Sequence, residues 1–396
     1  MKAKIDLDKE YGIVLEGGGA KGAYQIGVWK ALKEYGVKIK GIAGVSVGAL
    51  NGVLMCMGDI EVAEEIWNNI TYSQVMDVDD EEMGYLFHHD LKNIKLKYLT
   101  KTSVKAVSGG IDITPLRNLV NEYVDEDKMK ESDTELFIET LSLSDLKGIE
   151  IEVKKLAKGE IRDYLIASAS LPVFKQEKLQ GKTLLDGGIV NNVPIDMLLK
   201  RDYKNIIVVR IFGPGMEKKV NIPEEVQVLV ISPRVELGNI LEFDHKKTKR
   251  NMKIGYYDAM RLLKGLEGKI YYLSEIASEE EHFQMFCRLN RTVQMAFIEY
   301  FKEDYSDEAL YYRKLFEIVL PAIAEKLGLP KTWTYTQLYL SMLELSAKTM
   351  KVLKYCIYTE EEFKQEIRSN YETHAELLEP TDVFIQLVIK AVAIDD

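Results

Sequence analysis

The sequence predicts an α/β protein with a mainly parallel central sheet, followed by a helical C-terminal extension. In the first half of the chain, short apolar runs alternate with segments whose apolar residues recur at helical spacing, which is the pattern of βαβ units. Two later runs, 206–209 and 228–231, are apolar throughout, as strands covered on both faces are. Strand patterns fade from about Asn239. We therefore expect an α/β domain over residues 8–265 and a helical region over residues 266–396.

The first predicted elements follow one another closely along the chain. Residues 11–15 form an apolar strand that runs into a glycine cluster, and residues 23–35 then carry apolar side chains at helical spacing up to Gly36. A second strand at 37–43 leads into a second helix at 47–57. The remaining expected strands are 136–143, 149–153, 183–185, 205–211 and 226–231. In the extension, residues 278–327 and 334–393 are expected to be helical, with a break at 328–330.

Composition limits the class of protein and its surroundings. The 396 residues include 46% apolar and 29% charged residues, values typical of a soluble globular protein. A net charge of −11 argues against a nucleic-acid partner, because such proteins are usually basic. Cys56, Cys287 and Cys356 are widely separated, which favours neither a disulfide framework nor a zinc site. With no apolar segment after the charged first residues, these features predict a cytoplasmic protein.

One uncharged stretch has the length of a membrane span. Residues 41–58 contain no charge over 18 positions, but five of them are glycine, and Ser46 and Asn51 interrupt the apolar run. A single span so rich in glycine does not fit a chain otherwise patterned for water. We interpret the stretch as a buried strand, a sharp turn and a buried helix.

That turn carries a candidate nucleophile. Gly44-Val45-Ser46-Val47-Gly48 matches the pattern G-x-S-x-G, in which flanking glycines let the backbone crowd around a serine between a strand and a helix. Such a turn raises the hydroxyl above the sheet, next to the positive end of the following helix. By itself the pentapeptide is equally compatible with a glycine-rich helix start that packs closely on the sheet.

A glycine-rich loop strengthens the catalytic interpretation. Gly17, Gly18 and Gly19 follow the first predicted strand, and Ser46 follows the second. Loops that follow parallel strands emerge at the same edge of a sheet, so the N–H groups of the glycines are expected beside Ser46. Free N–H groups in that position can form an oxyanion hole, and each is worth about 2.7–4 kcal/mol of barrier.

The general base is not an obvious histidine. His88 and His89 are adjacent, so their side chains diverge, and no motif surrounds His245, His282 or His374. Asp186 instead stands at the end of a predicted strand, before two glycines, where a carboxylate would reach the same sheet edge. A solvated turn aspartate is the alternative, because Asp-Gly is a common turn dipeptide.

Three ordered motifs together resemble the patatin-like phospholipases, over roughly residues 10–210. The motifs are Gly17-Gly18-Gly19-Ala20-Lys21-Gly22, Gly44-Val45-Ser46-Val47-Gly48 and Asp186-Gly187-Gly188, and residues 167–172 resemble a further block of that family. The resemblance implies a three-layer α/β/α fold and a Ser-Asp dyad, with Ser46 as nucleophile and Asp186 as base. It further implies an oxyanion loop of Gly17, Gly18, Gly19 and Lys21. Supporting roles fall to Gly22, Gly44, Gly48, Gly187 and Gly188. Lys21 stands where the family usually has arginine, and lysine cannot form the bidentate contact with an anion.

The activity implied by the resemblance is that of a serine lipid acyl hydrolase, a phospholipase A or lysophospholipase type of esterase that works through an acyl-enzyme. Its substrates would be phospholipids, lysophospholipids or other acyl esters, without a metal or a cofactor. Peripheral membrane contact is compatible with two basic stretches, 91–107 and 246–253, although a solvated helix face is the simpler interpretation of both. We also hypothesise that 91–107 forms a mobile cover near the site.

Three other interpretations compete with that of a lipid acyl hydrolase. Gly17, Gly19 and Gly22 fit the dinucleotide-binding pattern G-x-G-x-x-G, but residues 38–44 lack the acid that this fingerprint requires. An α/β-hydrolase places several strands before its nucleophile and ends with a catalytic histidine, whereas only 45 residues precede Ser46. A non-catalytic lipid-binding protein that retains the fold stays open.

Overall fold

The computed structural model describes residues 5–88, 110–176, 178–303, 308–374 and 383–394. The chain divides into two compact units, the first ending at Leu263 and the second beginning at Lys264. The hypothesised cover at 91–107 lies outside the described residues.

The first unit is built on a mainly parallel sheet, which confirms the predicted α/β fold. In the described part of the chain this sheet has eight strands: β1 (Glu10–Leu15), β2 (Lys38–Val45), β3 (Glu135–Ser142), β4 (Lys147–Glu152), β5 (Lys178–Leu179), β6 (Lys182–Asp186), β7 (Asn205–Val209) and β8 (Gln227–Ile231). Their order is β5-β6-β3-β2-β1-β7-β8, and β4 also pairs with β3. Within this order the five neighbouring strands β3, β2, β1, β7 and β8 are parallel, whereas β4 and β6 run antiparallel to β3.

Helices connect these strands and cover the sheet. They are α1 (Ala23–Glu34), α2 (Val47–Met57), α3 (Ile60–Asn69), α4 (Tyr72–Val75), α5 (Asp80–His88), α6 (Thr114–Tyr123), α7 (Glu126–Glu131), α8 (Glu160–Ser168), α9 (Ile195–Leu199) and α10 (His245–Lys264). Met197 and Leu198 of α9 pack on one face, against Val14 and Phe137. On the other face, Gly52 of α2 lies against Ile42 and neighbouring apolar side chains. Apolar residues therefore alternate between two helix-covered faces, as the three-layer prediction requires.

Strand register explains how distant motifs meet. Leu15, the last residue of β1, lies opposite Gly44 in β2, so the loops that follow the two strands begin side by side. Val45 lies opposite Glu139 of β3, and the next residue of β3, Thr140, lies opposite Asp186 of β6. The ends of β1, β2 and β6 thus converge on one edge of the sheet.

The uncharged stretch 41–58 has the predicted form, since it ends β2, turns at Ser46 and continues as α2. Its side chains from Gly41 to Ala49 are buried. Among the described residues, no helix combines the length and the apolar character needed to cross a membrane.

The second unit is mainly helical, as the sequence predicts for 278–327 and 334–393, and each stretch is divided into several helices. The described helices are shorter: α11 (Glu279–Arg288), α12 (Arg291–Tyr300), α13 (Glu308–Lys314), α14 (Leu320–Lys326), α15 (Tyr335–Thr349), α16 (Glu360–His374) and α17 (Val383–Ile389), with π-helical segments at Leu315–Val319 and Lys390–Ile394. A small parallel pair, β9 (Tyr272–Ser274) and β10 (Ile357–Thr359), was not predicted. Three-residue strands are too short to show a period of two.

Candidate active site

Ser46 occupies a sharp turn between β2 and α2. Its φ of 56° lies in the left-handed region, a conformation that costs a non-glycine residue about 1–3 kcal/mol and often marks functional sites. Close backbone contacts hold the turn, because a Cβ on Gly48 would lie 2.2 Å from the Leu15 carbonyl oxygen. Gly44 is equally constrained, since its Cβ would lie 2.3 Å from the Gly48 carbonyl oxygen. Glycines on both sides are therefore needed to present Ser46 at this edge of the sheet.

A second serine fixes the backbone of the turn from behind. The N–H of Ser46 donates a hydrogen bond of 3.1 Å to Ser168 Oγ, and the Ser168 hydroxyl donates one of 2.7 Å to the Glu139 carbonyl. Ser168 is fully buried at the end of α8 and belongs to the segment 167–172 singled out in the sequence. This segment supports the serine turn through a hydroxyl.

Asp186 ends β6 with its side chain almost fully buried. Its N–H donates to the Ser170 carbonyl at 2.8 Å, and its Oδ1 accepts a hydrogen bond of 2.8 Å from the Gly188 N–H. The other carboxylate oxygen, Oδ2, is buried and accepts no hydrogen bond from any described residue. An oxygen left in this state is costly in a protein interior and is available to a new donor.

Burial raises the pKa of Asp186 to about 6, and the Ser46 hydroxyl and the Gly188 N–H offset part of that effect. The Ser46 hydroxyl thus faces the carboxylate closely enough to lower its pKa, although no hydrogen bond of normal geometry joins these two described side chains. A pKa near 6 leaves Asp186 ionised at neutral pH and more basic than an ordinary aspartate.

The glycine loop lies against the serine turn. A Cβ on Gly17 would be 3.2 Å from the Ser46 Cβ, so the two residues are packed closely together. The Gly17 N–H donates to the Asn192 carbonyl at 3.3 Å. The N–H groups of Gly18 and Gly19 donate to no acceptor in the described part of the chain, and both residues line a cavity with Ser46 and Asp186.

The other predicted residues occupy supporting positions. Lys21 is half-buried, and its ammonium group donates to the Phe212 carbonyl at 2.7 Å, which ties down the glycine loop. Gly22 lies against the Val47 side chain, Gly187 against the Glu139 carbonyl and Gly188 against the Asn192 side chain. In each of these three places an added Cβ would clash at 2.6 Å or less.

Two cavities meet at Ser46. One, of about 270 Å³, is bordered by Gly18, Gly19 and Asp186. The other, of about 110 Å³, is almost entirely apolar. Its walls are formed mainly by aliphatic and aromatic side chains: Leu50, Leu54, Ile66, Trp67, Ile70, Val75, Leu116, Leu119, Val120, Leu171, Phe174, Ile240, Leu241 and Phe243. Among the described residues, no three His, Cys, Asp or Glu side chains form a group that could hold a metal ion.

Residues 13–199 match the sequence model of the family "Patatin-like phospholipase". The match covers 187 of the 396 residues, just under half of the chain. The three sequence motifs all lie inside the matched residues: the glycine loop, the serine turn and Asp186-Gly187-Gly188. The resemblance to this family that the motifs predicted is therefore confirmed for these residues.

Among the curated relatives, a patatin-like phospholipase domain-containing protein of Caenorhabditis elegans is 30% identical over 204 residues, which are 50% of this chain and 13% of that protein. Neuropathy target esterase of Drosophila melanogaster is 29% identical over 202 residues, 50% of this chain and 12% of the esterase. This chain thus matches only a small part of the length of these two relatives. The crystal structure of VipD from Legionella pneumophila aligns over 97% of this chain and 91% of VipD, with 14% identity and a TM-score of 0.42.

The sequence did not single out two further polar residues of the site, Glu16 and Asn192. Asn192 donates from its side chain to the Gly17 carbonyl at 3.2 Å and to the Gly213 carbonyl at 3.1 Å. Glu16 is fully buried directly before the glycine loop. The one available signal was an acidic residue at the end of an otherwise apolar strand, where burial is unusual.

Proposed function

We propose that this chain is a serine lipid acyl hydrolase, an esterase of the phospholipase A or lysophospholipase type, and that residues 8–265 form its acyl-hydrolase domain. The observation that carries the proposal is the surroundings of Ser46, which lies between a buried carboxylate oxygen without a hydrogen bond and an almost wholly apolar cavity. The first feature suits a general base and the second suits an acyl chain.

In the proposed acylation step, Asp186 accepts the proton of the Ser46 hydroxyl while Ser46 Oγ forms a bond to the acyl carbonyl carbon. The carbonyl π electrons move onto oxygen, where the N–H groups of Gly18 and Gly19 stabilise the negative charge. When the carbonyl re-forms, the ester C–O bond breaks and the leaving alcohol takes the proton from Asp186. The product of this half-reaction is an acyl-enzyme on Ser46.

Deacylation repeats the same steps with water. Asp186 removes a proton from the water as its oxygen attacks the acyl-enzyme carbonyl, and the same two N–H groups hold the second oxyanion. Collapse breaks the bond to Ser46 Oγ, which regains its proton from Asp186, and releases the fatty acid. The raised pKa of Asp186 suits a group that must both accept and return a proton near neutral pH.

We further propose that the substrate comes from a lipid surface that the protein contacts peripherally from the cytoplasm. Phe212 and Met216 belong to the segment 211–216, whose Pro214 and Gly215 line the larger cavity. Their side chains are 54% and 66% exposed. Large exposed apolar side chains beside a site favour contact with another apolar surface.

The test is labelling with a fluorophosphonate probe, located by mass spectrometry, on wild type, Ser46→Ala and Asp186→Asn. We expect wild type to be labelled at Ser46, no labelling of Ser46→Ala, and labelling of Asp186→Asn slowed by at least about a hundredfold through loss of the base. Circular dichroism would verify that each variant is folded.

The competing function is a non-catalytic lipid-binding protein that retains the fold. A folded wild type that stays unlabelled in the presence of phospholipid vesicles, yet binds those vesicles, would favour that function over hydrolysis. Labelling of Ser46 at equal rates in wild type and Asp186→Asn would retain the nucleophile and reject Asp186 as its base.

A further inference from the structure

We propose that Glu16 is a positioning residue, which holds both loops of the oxyanion side of the site in their working arrangement. The inference rests on the proposed function, because it concerns how the donors at Gly18 and Gly19 are kept in place. Glu16 follows β1 directly, has no exposed surface and stands one residue before the glycine loop. A carboxylate in that position needs compensating donors, and the donors it finds define its role.

The Glu16 carboxylate organises the segment that follows β7. Its Oε2 accepts hydrogen bonds from the N–H groups of Ile211 at 2.6 Å and Phe212 at 3.0 Å, and its Oε1 accepts one from Gly213 at 3.2 Å. The Arg210 guanidinium adds an ion pair of 2.9 Å through Nε. Four consecutive residues of one loop are therefore bound to a single side chain.

That loop in turn presses on the glycine loop. A Cβ on Gly213 would lie 1.9 Å from the Gly17 carbonyl oxygen, and one on Gly18 would lie 2.8 Å from the Ile211 side chain. The Asn192 side chain, which donates to Glu16 Oε1 at 3.4 Å, joins Gly17 and Gly213 through their carbonyls. A shift of the segment 210–213 would therefore be transmitted to the backbone of Gly17 and Gly18.

The same loop reaches the Asp186 side of the site. The Met216 N–H donates to the Gly188 carbonyl at 2.9 Å, and the Asn192 N–H donates to the Met216 carbonyl. Gly188 is the residue whose N–H binds Asp186 Oδ1. The segment 210–216 thus spans from the oxyanion donors to the turn that carries the base, and Glu16 fixes its first half.

The test compares wild type with Glu16→Gln and Glu16→Asp. In Glu16→Gln one oxygen becomes an NH₂ group that faces N–H donors, so at least one donor loses its acceptor while the shape is kept. We expect kcat on a monomeric short-chain ester to fall about 10- to 100-fold with KM changed less than about threefold, because the donors act mainly on the transition state. Glu16→Asp, which keeps the charge, should recover part of the loss.

A matched control exists in the second unit. Glu344 is also a buried glutamate, and its Oε1 accepts hydrogen bonds from three successive N–H groups, those of Lys269, Ile270 and Tyr271. Glu344→Gln should lower the melting temperature without altering kcat. A trifluoromethyl ketone, which forms an oxyanion on Ser46, should bind at least about tenfold more weakly to Glu16→Gln, while the matching unreactive alcohol binds equally. Equal losses for ketone and alcohol would reduce Glu16 to a structural residue.

Hydrogen exchange followed by mass spectrometry separates this proposal from the proposed function. Glu16→Gln should speed exchange in peptides covering 17–22 and 211–216, and Glu344→Gln should leave both peptides unchanged. Faster exchange in both peptides of Glu16→Gln, together with a folded wild type that has no esterase activity, would retain the positioning role and reject the hydrolase. Unchanged exchange in the 17–22 peptide would overturn the positioning role whatever the activity.

Discussion

Buried carboxylates are treated differently in the two units of this protein. In the second unit, Glu360 accepts hydrogen bonds from the Ala277 N–H at 2.9 Å and pairs with His282 at 3.2 Å and Lys364 at 3.2 Å. Burial alone would raise the pKa of Glu360, but these contacts outweigh it, so that the pKa lies below its usual value. The contacts of Glu360 therefore stabilise its ionised carboxylate.

In the first unit, Asp186 is buried to a similar degree but is left incomplete. One of its oxygens has no hydrogen bond from a described residue, and burial raises its pKa to about 6. The contrast indicates that Asp186 is not placed for stability, since completing its contacts would have stabilised the fold at neutral pH. A buried polar group without a hydrogen-bond partner usually marks a position where function outweighs stability.

The largest expected effect is a loss of stability when the buried carboxylate of Glu360 in the second unit is removed. Glu360→Gln removes the charge partner of Lys364 and the carboxylate that contacts His282 and the Ala277 N–H, and should lower the free energy of unfolding by about 3 kcal/mol. Fluorophosphonate labelling of Ser46 should remain at the wild-type rate in the folded variant. Chemical denaturation of both proteins measures the first quantity, and a loss below about 0.5 kcal/mol would contradict the stabilising role of Glu360.

Asp186→Asn should act in the opposite direction, and only above the pKa. The folded protein holds a proton on Asp186 up to about pH 6, whereas the unfolded chain releases it near the ordinary value of 3.8. The carboxylate therefore destabilises the fold progressively between about pH 4 and 6, and its penalty is complete above pH 6. Removing the charge should stabilise the protein by about 3 kcal/mol at pH 8 and leave it nearly unchanged at pH 4.

The pH dependence supplies its own control. Wild type and Asp186→Asn, melted side by side at pH 4 and pH 8, should differ only at the higher pH. Equal stability at both values would mean that burial does not destabilise the ionised form, and the contrast between Asp186 and Glu360 would disappear.

The features of this structure that depend on residues close together in the chain could be predicted from the sequence. The strands of the central sheet follow from local apolar runs, and the serine turn follows from Gly44 and Gly48, whose backbone contacts are with nearby residues or the adjacent strand. Asp186 ends β6, which runs antiparallel to β3, so the rule for the ends of parallel strands does not place it there. Its position at this edge follows from its register opposite Thr140, which the sequence does not show. The roles of Asp186 and Ser46 remain proposals.

Contacts between distant segments could not be predicted in the same way. Glu16 binds N–H groups 195 to 197 positions away, and a backbone N–H leaves no mark on a sequence. Nothing local distinguishes Asn192 from a turn residue either. The strands β9 and β10 pair across more than 80 residues with three residues each, so their pairing is set by tertiary packing.

Exposed apolar side chains offer a last, smaller contrast between the units. Phe212 and Met216 belong to a segment whose backbone is bound to Glu16 and Gly188, so their exposure is held in place beside the cavity. Leu353 of the second unit is 72% exposed, and no residue close to it in the sequence lines either of the two cavities at Ser46. It therefore serves as the control position.

If Phe212 and Met216 insert into lipid, each side chain contributes about 1.5–3 kcal/mol to binding when fully buried, and partial insertion gives less. The double variant Phe212→Gln, Met216→Gln should therefore lower the ratio of the vesicle rate to the monomeric-ester rate about tenfold, which equals about 1.4 kcal/mol. Leu353→Gln should leave that ratio unchanged, and equal ratios in all three proteins would remove the lipid-facing role of the segment while leaving the chemistry at Ser46 intact.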